Sequence, residues 1–511
     1  MRDDDTRLES DDPRELRDYI NELKAENARL ESRSRLGLNF ENTPDNNVIK
    51  YSTHIPLSVH EPMNDVITDK NGTTHDLIIG DNYPGLLTLL PKYENKVNVI
   101  YIDPPYNTGS NGFIYNDRYT NPEDAYKHSK WLSFMEPRLR LAKRLLSDDG
   151  IIFVSIDDHE QARLKLLMDG IFGEENFIST LIWHKRTRLN SAARISVDTE
   201  YVLMYSKSIS SCSVAMEKSD SEFPLKDRHF ERRGGYRINS LDRRLKYSKS
   251  LDYVINHDGE SIYPGASRDD FQRRMNGIVS DRDWEWRWSR RKLEWGIKND
   301  FIIFKNGKVY SKTYRNVDNN DKPIERCDPS SSLIEGIQSL HGSKNVRSII
   351  NDGVTFSFPK PVRLIRFLIG LHPNKDALAL DFFAGSGTTG QAVAELNVED
   401  GGHRHCILIT DEGRSVDDPD AVNIARDITY TRLKRVLTGR DWADGREHPC
   451  LHQNLRAYHL TGVDTMMDDG ISNRDVDDII TDIIHHDDSN PDSPLEHARS
   501  ILDSWRNAVQ E

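Results

Sequence analysis

From Asp76 onwards the chain alternates short, nearly continuous apolar runs with stretches in which apolar residues recur every three or four positions. The runs Asp76–Gly80, Val97–Ile102, Gly150–Ile156, Phe177–His184 and Tyr201–Tyr205 predict strands buried on both faces. Between them Tyr83–Leu90, Trp131–Leu146 and His159–Phe172 carry helical spacing. After Ser206 the pattern decays into polar, Arg-rich and Trp-rich sequence, and it returns near Phe356. There Val362–Leu371 and Gly387–Leu396 predict helices, and Ala377–Phe382 and His405–Thr410 predict strands. Either half alone has too few strands for a stable sheet, so the pattern predicts one α/β domain with a parallel sheet, interrupted by an insertion. Near the N-terminus Leu16, Ile20, Leu23, Asn27 and Leu30 alternate spacings of four and three, which suits a dimerising heptad seam and a helix lying on its own domain about equally.

These changes of pattern divide the chain into an N-terminal helix (1–40), two halves of the α/β domain (41–206 and 352–440), the insertion (207–351) and a C-terminal extension (441–511). Charge sharpens the division. The 511 residues carry a net charge of -14, which by itself discourages a phosphate-binding reading. The segment from Leu225 to Arg315, however, has 22 Lys and Arg against 13 Asp and Glu, whereas Gly462 to Glu511 has 13 acids against 3 Arg. Basic charge is thus gathered in the insertion, and the C-terminal segment reads as an acidic appendage. The 4 cysteines lie far apart with no C-x-x-C pair, so neither a metal site nor a disulfide framework is expected. No apolar run approaches the roughly 18 residues of a membrane span, and residues 1–15 contain no signal-like apolar region. A cytoplasmic protein without membrane partners is the expectation.

Two motifs carry candidate chemistry. Asp381-Phe382-Phe383-Ala384-Gly385-Ser386-Gly387-Thr388 closes an apolar strand and opens a helix, and its glycines allow a ligand to approach the backbone at a helix N-terminus. Asp103-Pro104-Pro105-Tyr106 ends another strand. Two prolines stiffen the turn and leave carbonyls as acceptors. Asp103 and the Pro104 carbonyl could therefore hold both hydrogens of an exocyclic amine while Tyr106 stacks on the base. Taken singly, each motif is also explained by an ordinary structural turn. No G-x-x-x-x-G-K-[ST] string occurs, which excludes a P-loop nucleotide hydrolase.

Together the motifs resemble the amino-group DNA methyltransferases, in the permuted order of their β group, with the catalytic motif ahead of the cofactor motif. The strings Ile100–Gly109, Leu146–Asp157, Phe172–Asn176 and Asp427–Leu433 are similar to modification subunits of type III restriction systems and their solitary relatives. The resemblance implies a Rossmann-like, S-adenosylmethionine (AdoMet)-dependent methyltransferase sheet, permuted and interrupted by an inserted target-recognition domain. It implies methyl transfer to adenine N6 in double-stranded DNA, with cytosine N4 as the rival target and a DNA-binding regulator without catalysis as the rival class. Whether a separate restriction subunit accompanies the chain stays open. By the same resemblance Asp103, Pro104, Pro105 and Tyr106 are catalytic. Asp381, Phe383, Ala384, Gly385, Ser386, Gly387, Thr388 and Lys360 form the AdoMet site, and Asp411 is a candidate for the ribose. Asp81 is expected to cap a helix rather than face the cofactor. In the insertion, Arg287, Arg290 and Arg291 are candidate DNA contacts, and its Trp residues suit an aromatic core as well as base stacking.

Overall fold

A computed structural model of the chain describes residues 40–41, 45–108, 126–186, 195–215, 223–244, 246–324, 329–350, 356–413, 422–466, 475–486 and 493–510. The heptad segment 14–31 lies outside the described residues. The strands of the main unit are β1 (His54–His60), β2 (Thr74–Ile79), β3 (Val97–Ile102), β4 (Leu146–Ile156), β5 (Phe177–His184), β6 (Thr199–Ser206), β7 (Leu333–Ile334), β8 (Leu378–Asp381), β9 (His405–Thr410) and β10 (Asn454–Asp464). They form one sheet in the order β1-β10-β2-β9-β8-β3-β4-β6-β5-β7. Its middle is parallel. The expectation of an all-parallel sheet is corrected at two places: β6 runs antiparallel to both β4 and β5, and β1 antiparallel to β10.

Helices α1 (Asn82–Tyr93), α2 (Lys127–Leu145), α3 (Gln161–Phe172), α4 (Ser339–Ile349), α5 (Val362–Gly370), α6 (Thr388–Asp400), α7 (Thr431–Thr438), α8 (Val476–His486) and α9 (Pro494–Gln510) accompany the sheet. Successive strand residues point to opposite faces, and this separates two cores. Ile100, Ile102, Ile152, Val154, Leu380 and Ile407 pack with Leu86, Leu90, Met135, Leu139 and Leu164 of α1 to α3. Val99, Tyr101, Ile151, Phe153, Ala379 and Leu408 pack with Leu364, Leu368, Val393 and Leu433 of α5 to α7. Burial on both faces is the reason these strands read as continuous apolar runs.

Two boundaries differ from those expected. The inserted unit is 216–330 rather than 207–351. Its flanks belong to the main unit: Ala215 N–H donates to the Leu371 carbonyl at 2.7 Å, β7 pairs with β5, and α4 packs near α7. Polar composition hid these pieces because a two-residue strand and a helix rich in Ser and Asn carry little apolar signal. The segment 441–511 is likewise no appendage. Its strand β10 lies inside the sheet between β1 and β2, and Ile479, Ile480, Ile483, Ile501 and Leu502 of α8 and α9 bury against Ile55, Leu57 and Val463. Among the described residues, Asp475, Asp477, Asp478, Glu496 and Asp503 are exposed around that apolar stripe.

The inserted unit has its own core of Leu241, Tyr253, Trp286, Trp288, Phe301 and Tyr314, beneath a three-stranded antiparallel sheet made by Tyr236–Ser240, Ile302–Lys305 and Lys308–Tyr314. Trp286 and Trp288 are core residues. Arg287, Arg290 and Arg291 are exposed; Arg287 Nε donates to the Ser240 carbonyl at 3.1 Å, and Arg290 lies 5.0 Å over the Tyr253 ring.

Candidate active site

Strand β8 pairs with β3 through Ala379 with Val99 and Leu380 with Ile100. The chain leaves β8 towards β9 on one side and leaves β3 towards β4 on the other. In open α/β sheets that divergence opens a crevice at the carboxyl ends of the two strands, where ligands bind. Both sequence motifs emerge there: Asp381 ends β8, and Asp103 follows β3 directly.

On the β3 side, four charged groups and a phenol converge. Lys360 Nζ lies 2.8 Å from Asp103 Oδ1 and 3.3 Å from Glu200 Oε2, and donates to the Tyr106 hydroxyl at 2.8 Å. The Tyr106 hydroxyl donates to Asp103 Oδ1 at 2.9 Å and to Glu200 Oε2 at 3.2 Å, and Lys185 Nζ holds Glu200 Oε1 at 3.0 Å. The Lys360 ammonium is 4.8 Å from the centroid of the Tyr106 ring, on its hydroxyl side. Burial raises the Asp103 carboxyl above its ordinary range against the pull of Lys360. Burial would lower Lys360, but Asp103 and Glu200 outweigh it and hold the ammonium charged. Glu200 also resists desolvation, because Lys360 and Lys185 keep its carboxyl low. Opposite charges at this spacing favour one another's ionised forms even when buried.

The turn itself is fixed from below. Trp131 Nε1 donates to the Pro105 carbonyl at 2.7 Å, and Asn107, at φ +56°, donates to the buried Glu160 carboxylate at 2.6 Å. His128 Nδ1 meets the same Glu160 oxygen.

On the β8 side, Gly385 at φ +48° and Gly387 at φ +76° turn the chain into α6, in a region that residues with a side chain adopt rarely. Ala384 N–H ties the loop to the Ile409 carbonyl at 3.2 Å. Ser386 and Thr388 do not present their hydroxyls outward. Arg432, fully buried, donates to both at 3.0 and 2.8 Å, to the Ser386 carbonyl at 3.0 Å, to Gln391 at 2.9 Å and to Asn345 at 2.8 Å. Thr429 donates to the Gly385 carbonyl from a π-helical turn, Ile424–Tyr430, that leads into α7. The Phe383 ring packs against Phe134 and Phe382, with centroids 6.0 and 5.3 Å apart.

Asp381 accepts from the Phe383 N–H at 3.0 Å and from the Thr389 hydroxyl at 2.5 Å. Burial pushes its carboxyl from 3.8 up to about 7. A carboxyl raised in this way stabilises the fold fully only below its unfolded value, and the contribution is lost as pH rises through about 7. Asp381→Asn keeps a neutral side chain with the same two partners. Its melting temperature is therefore expected to fall less than that of the wild type between pH 5 and pH 8, as scanning calorimetry would read; parallel slopes would show that Asp381 does not titrate there.

The acids beyond β2 and β9 divide differently from expectation only in part. Asp81 accepts from Tyr83 N–H at 2.8 Å as the cap of α1 and faces the buried Arg138 at 3.4 Å. Asp411 Oδ1 accepts from Gly413 N–H at 2.8 Å. Its neighbour Glu412 lines a cavity of about 480 Å³ with Gly80, Asp81, Glu61 and Arg426. Sequence reasoning passed over Glu412 in this role, and over Glu200, Lys185 and Arg432. Only Arg432 left a trace, inside the string Asp427–Leu433.

A family model described as DNA methylase, of the N6/N4 methyltransferase type, matches residues 97–412. The chain belongs to this family. Among curated relatives, this N6/N4 methylase is 33% identical over 401 residues to the type III restriction-modification enzyme StyLTI Mod subunit of Salmonella typhimurium, covering 72% of this chain and 58% of the relative. It is 32% identical over 391 residues to the EcoPI Mod subunit of Escherichia phage P1, covering 67% and 58%. It is 34% identical over 366 residues to the type II methyltransferase M.KpnI of Klebsiella pneumoniae, covering 66% and 81%. This methylase thus spans little more than half the length of the two type III relatives.

Proposed function

We propose that this methylase transfers a methyl group from AdoMet to the N6 amine of adenine in duplex DNA. In this reading it acts in the cytoplasm as the modification component of a restriction-modification system, beside a separate restriction subunit and as a homodimer. One observation carries the chemistry: a nitrogen donor, the Lys360 ammonium, rests on Asp103 Oδ1 at 2.8 Å beside the Tyr106 hydroxyl, also at 2.8 Å. An exocyclic amine on a base stacked against Tyr106 would meet the same acceptor. Relatives named as type III Mod subunits and as a type II methyltransferase support the reaction class.

The residues at the carboxyl ends of β8, β9 and β2 suit AdoMet. The left-handed glycines leave the loop backbone open to a ligand at the N-terminus of α6, and the neighbouring cavity brings carboxylates to ribose hydroxyls through Glu412, with Asp411 beside it. Bound there, AdoMet supplies an electrophilic methyl carbon. Tyr106 stacks on the flipped adenine, Asp103 and the Pro104 carbonyl accept its two amine hydrogens, and the lone pair is thereby directed out of the base plane. Lys360 must withdraw from Asp103 as the amine arrives, and Glu200 remains as its counter-ion. Incubation with labelled AdoMet and unmethylated plasmid, followed by nucleoside analysis, tests the reading. N6-methyl-2′-deoxyadenosine supports it, N4-methyl-2′-deoxycytidine would move the target to cytosine, and no label in DNA would overturn it.

Tyr106→Ala is expected to lower kcat/KM roughly 5- to 100-fold, the range of one lost base-aromatic stack. Tyr106→Phe keeps the ring, gives up three hydrogen-bonding contacts of the hydroxyl and should retain more activity than alanine. Equal losses would show that the hydroxyl, not the face, carries the function.

For the inserted unit, exposed Arg287, Arg290 and Arg291 are proposed phosphate contacts. Replacing all three with Gln should flatten the dependence of log binding constant on log salt by up to about three, near one per lost contact. An unchanged slope in a folded triple variant would remove these arginines from DNA binding.

A further inference from the structure

Two phenylalanines precede Lys360 in the sequence Phe356-Ser357-Phe358-Pro359-Lys360-Pro361, and the structure treats them oppositely. Phe356 packs with Ile349, Ile350, Ile428 and Val436 and reaches the glycine loop, where a Cβ added to Gly385 would come within 3.1 Å of its ring. Phe358 is 86% exposed, a large apolar side chain given to solvent. Its backbone is unusual as well. Its φ is +56°, a region that bulky side chains avoid, and the proline that follows it favours extended geometry instead. Such strain persists only where the surroundings impose it, and it gathers at functional positions.

The surroundings here do impose it. The Pro359 carbonyl sits so close to α4 that a Cβ on Gly342 would fall 2.0 Å from it, so that turn of the helix must be glycine for the segment to lie down. Prolines flank Lys360 on both sides and stiffen the backbone. Lys360 in turn is held by Asp103, Glu200 and Tyr106. Phe358 is therefore an exposed ring on a rigid mount. Its Cα lies no more than roughly 7 Å from that of the residue whose ammonium bonds the Tyr106 hydroxyl.

We propose that Phe358 holds the duplex open, its ring stacking on the bases left behind when the target adenine leaves the helix for Tyr106. The inference rests on the methyltransferase reading and adds to it the group that stabilises the extruded state. Removing a base from the stack exposes its neighbours, and an apolar side chain presented at the mouth of the base-binding site covers them. A ring serving only the interior would face inward, as Phe356 does.

The test uses the full chain and a 30-base-pair duplex carrying the methylated site read from a plasmid modified by the wild type. A second duplex is identical except for an abasic residue opposite the target adenine, which removes the pairing that flipping must break. Phe358→Ala is expected to lower kcat/KM roughly 10- to 100-fold on the paired duplex and less than about 3-fold on the abasic one, with Phe358→Trp close to wild type on both. With 2-aminopurine at the target position, the alanine variant should lose most of the fluorescence rise on binding, while calorimetric AdoMet affinity stays unchanged. Wild-type activity of Phe358→Ala on the paired duplex, or equal losses on both duplexes, overturns the proposal. If the wild type labels no DNA, the methyltransferase reading falls and takes this proposal with it.

Discussion

Asp103→Ala is expected to lower methyl transfer by roughly 10²- to 10³-fold, the scale on which one preorganised hydrogen-bonding partner of a reacting group contributes. The loss should appear in kcat. Asp103 sits on the opposite side of the β8–β3 crevice from the glycine loop, so AdoMet affinity should stay near that of the wild type by calorimetry. A second effect accompanies the first. Asp103 is one of two carboxylates that keep Lys360 charged, so its removal leaves the ammonium with Glu200 alone. Asp103→Asn separates the two effects, because it keeps an acceptor oxygen and removes the charge. Turnover by the alanine variant close to wild type would exclude Asp103 from the reaction.

Arg432→Met should be still more damaging, by a different route. The guanidinium is completely buried and feeds four residues, Ser386, Thr388, Gln391 and Asn345. Burial pulls its pKa down from 12.5 to about 9. Methionine fills similar volume and satisfies none of these acceptors, and breaking a buried charged network of this kind costs about 3–5 kcal/mol. The urea midpoint should drop accordingly. AdoMet binding should be lost even where the variant folds, since the glycine loop would no longer be held open. Arg432→Lys is expected to recover little, because an ammonium cannot fork to Gln391, Ser386 and Asn345 together. A stable methionine variant with normal AdoMet affinity would show that the loop holds its shape without this residue.

How much was legible beforehand follows from what each element buries. Val97–Ile102 and His405–Thr410 have the bounds that their apolar runs predict, since strands covered on both faces announce themselves, and Phe177–His184 has its predicted bounds although most of its residues are half-buried. The strand Asn454–Asp464 was missed because its buried and exposed residues do not alternate cleanly and the chain beyond it is acidic. In the candidate site the motif residues Asp103, Tyr106 and Gly385 were readable because local spacing marks them. Glu200 and Lys185 were not. A charged residue at the end of a strand ordinarily faces water, and only pairing of β6 with β4 and β5 brings Glu200 to Lys360. Lys360 was read as part of the cofactor pocket; its ammonium lies on Asp103, and its carbonyl accepts from the Thr388 hydroxyl at 3.4 Å.

The order of strands has a consequence for how this protein is made. β2 and β3 are neighbours in sequence, but β9 and β8 lie between them in the sheet. A ribosome therefore delivers two strands that must wait, some three strand spacings or about 14 Å apart, for partners encoded roughly 300 residues downstream. At about 5–20 residues per second that interval is about 15–60 s. Throughout it the facing edges of β2 and β3 have unpaired backbone groups and apolar faces, the combination that invites wrong partners. The inserted unit, with its own core, is complete before the gap closes. Before then the nascent chain holds one unfinished part-sheet, β3-β4-β6-β5, and two strands, β1 and β2, whose partners are still to be made, and its yield in a cell should depend on chaperones that shield strand edges during elongation.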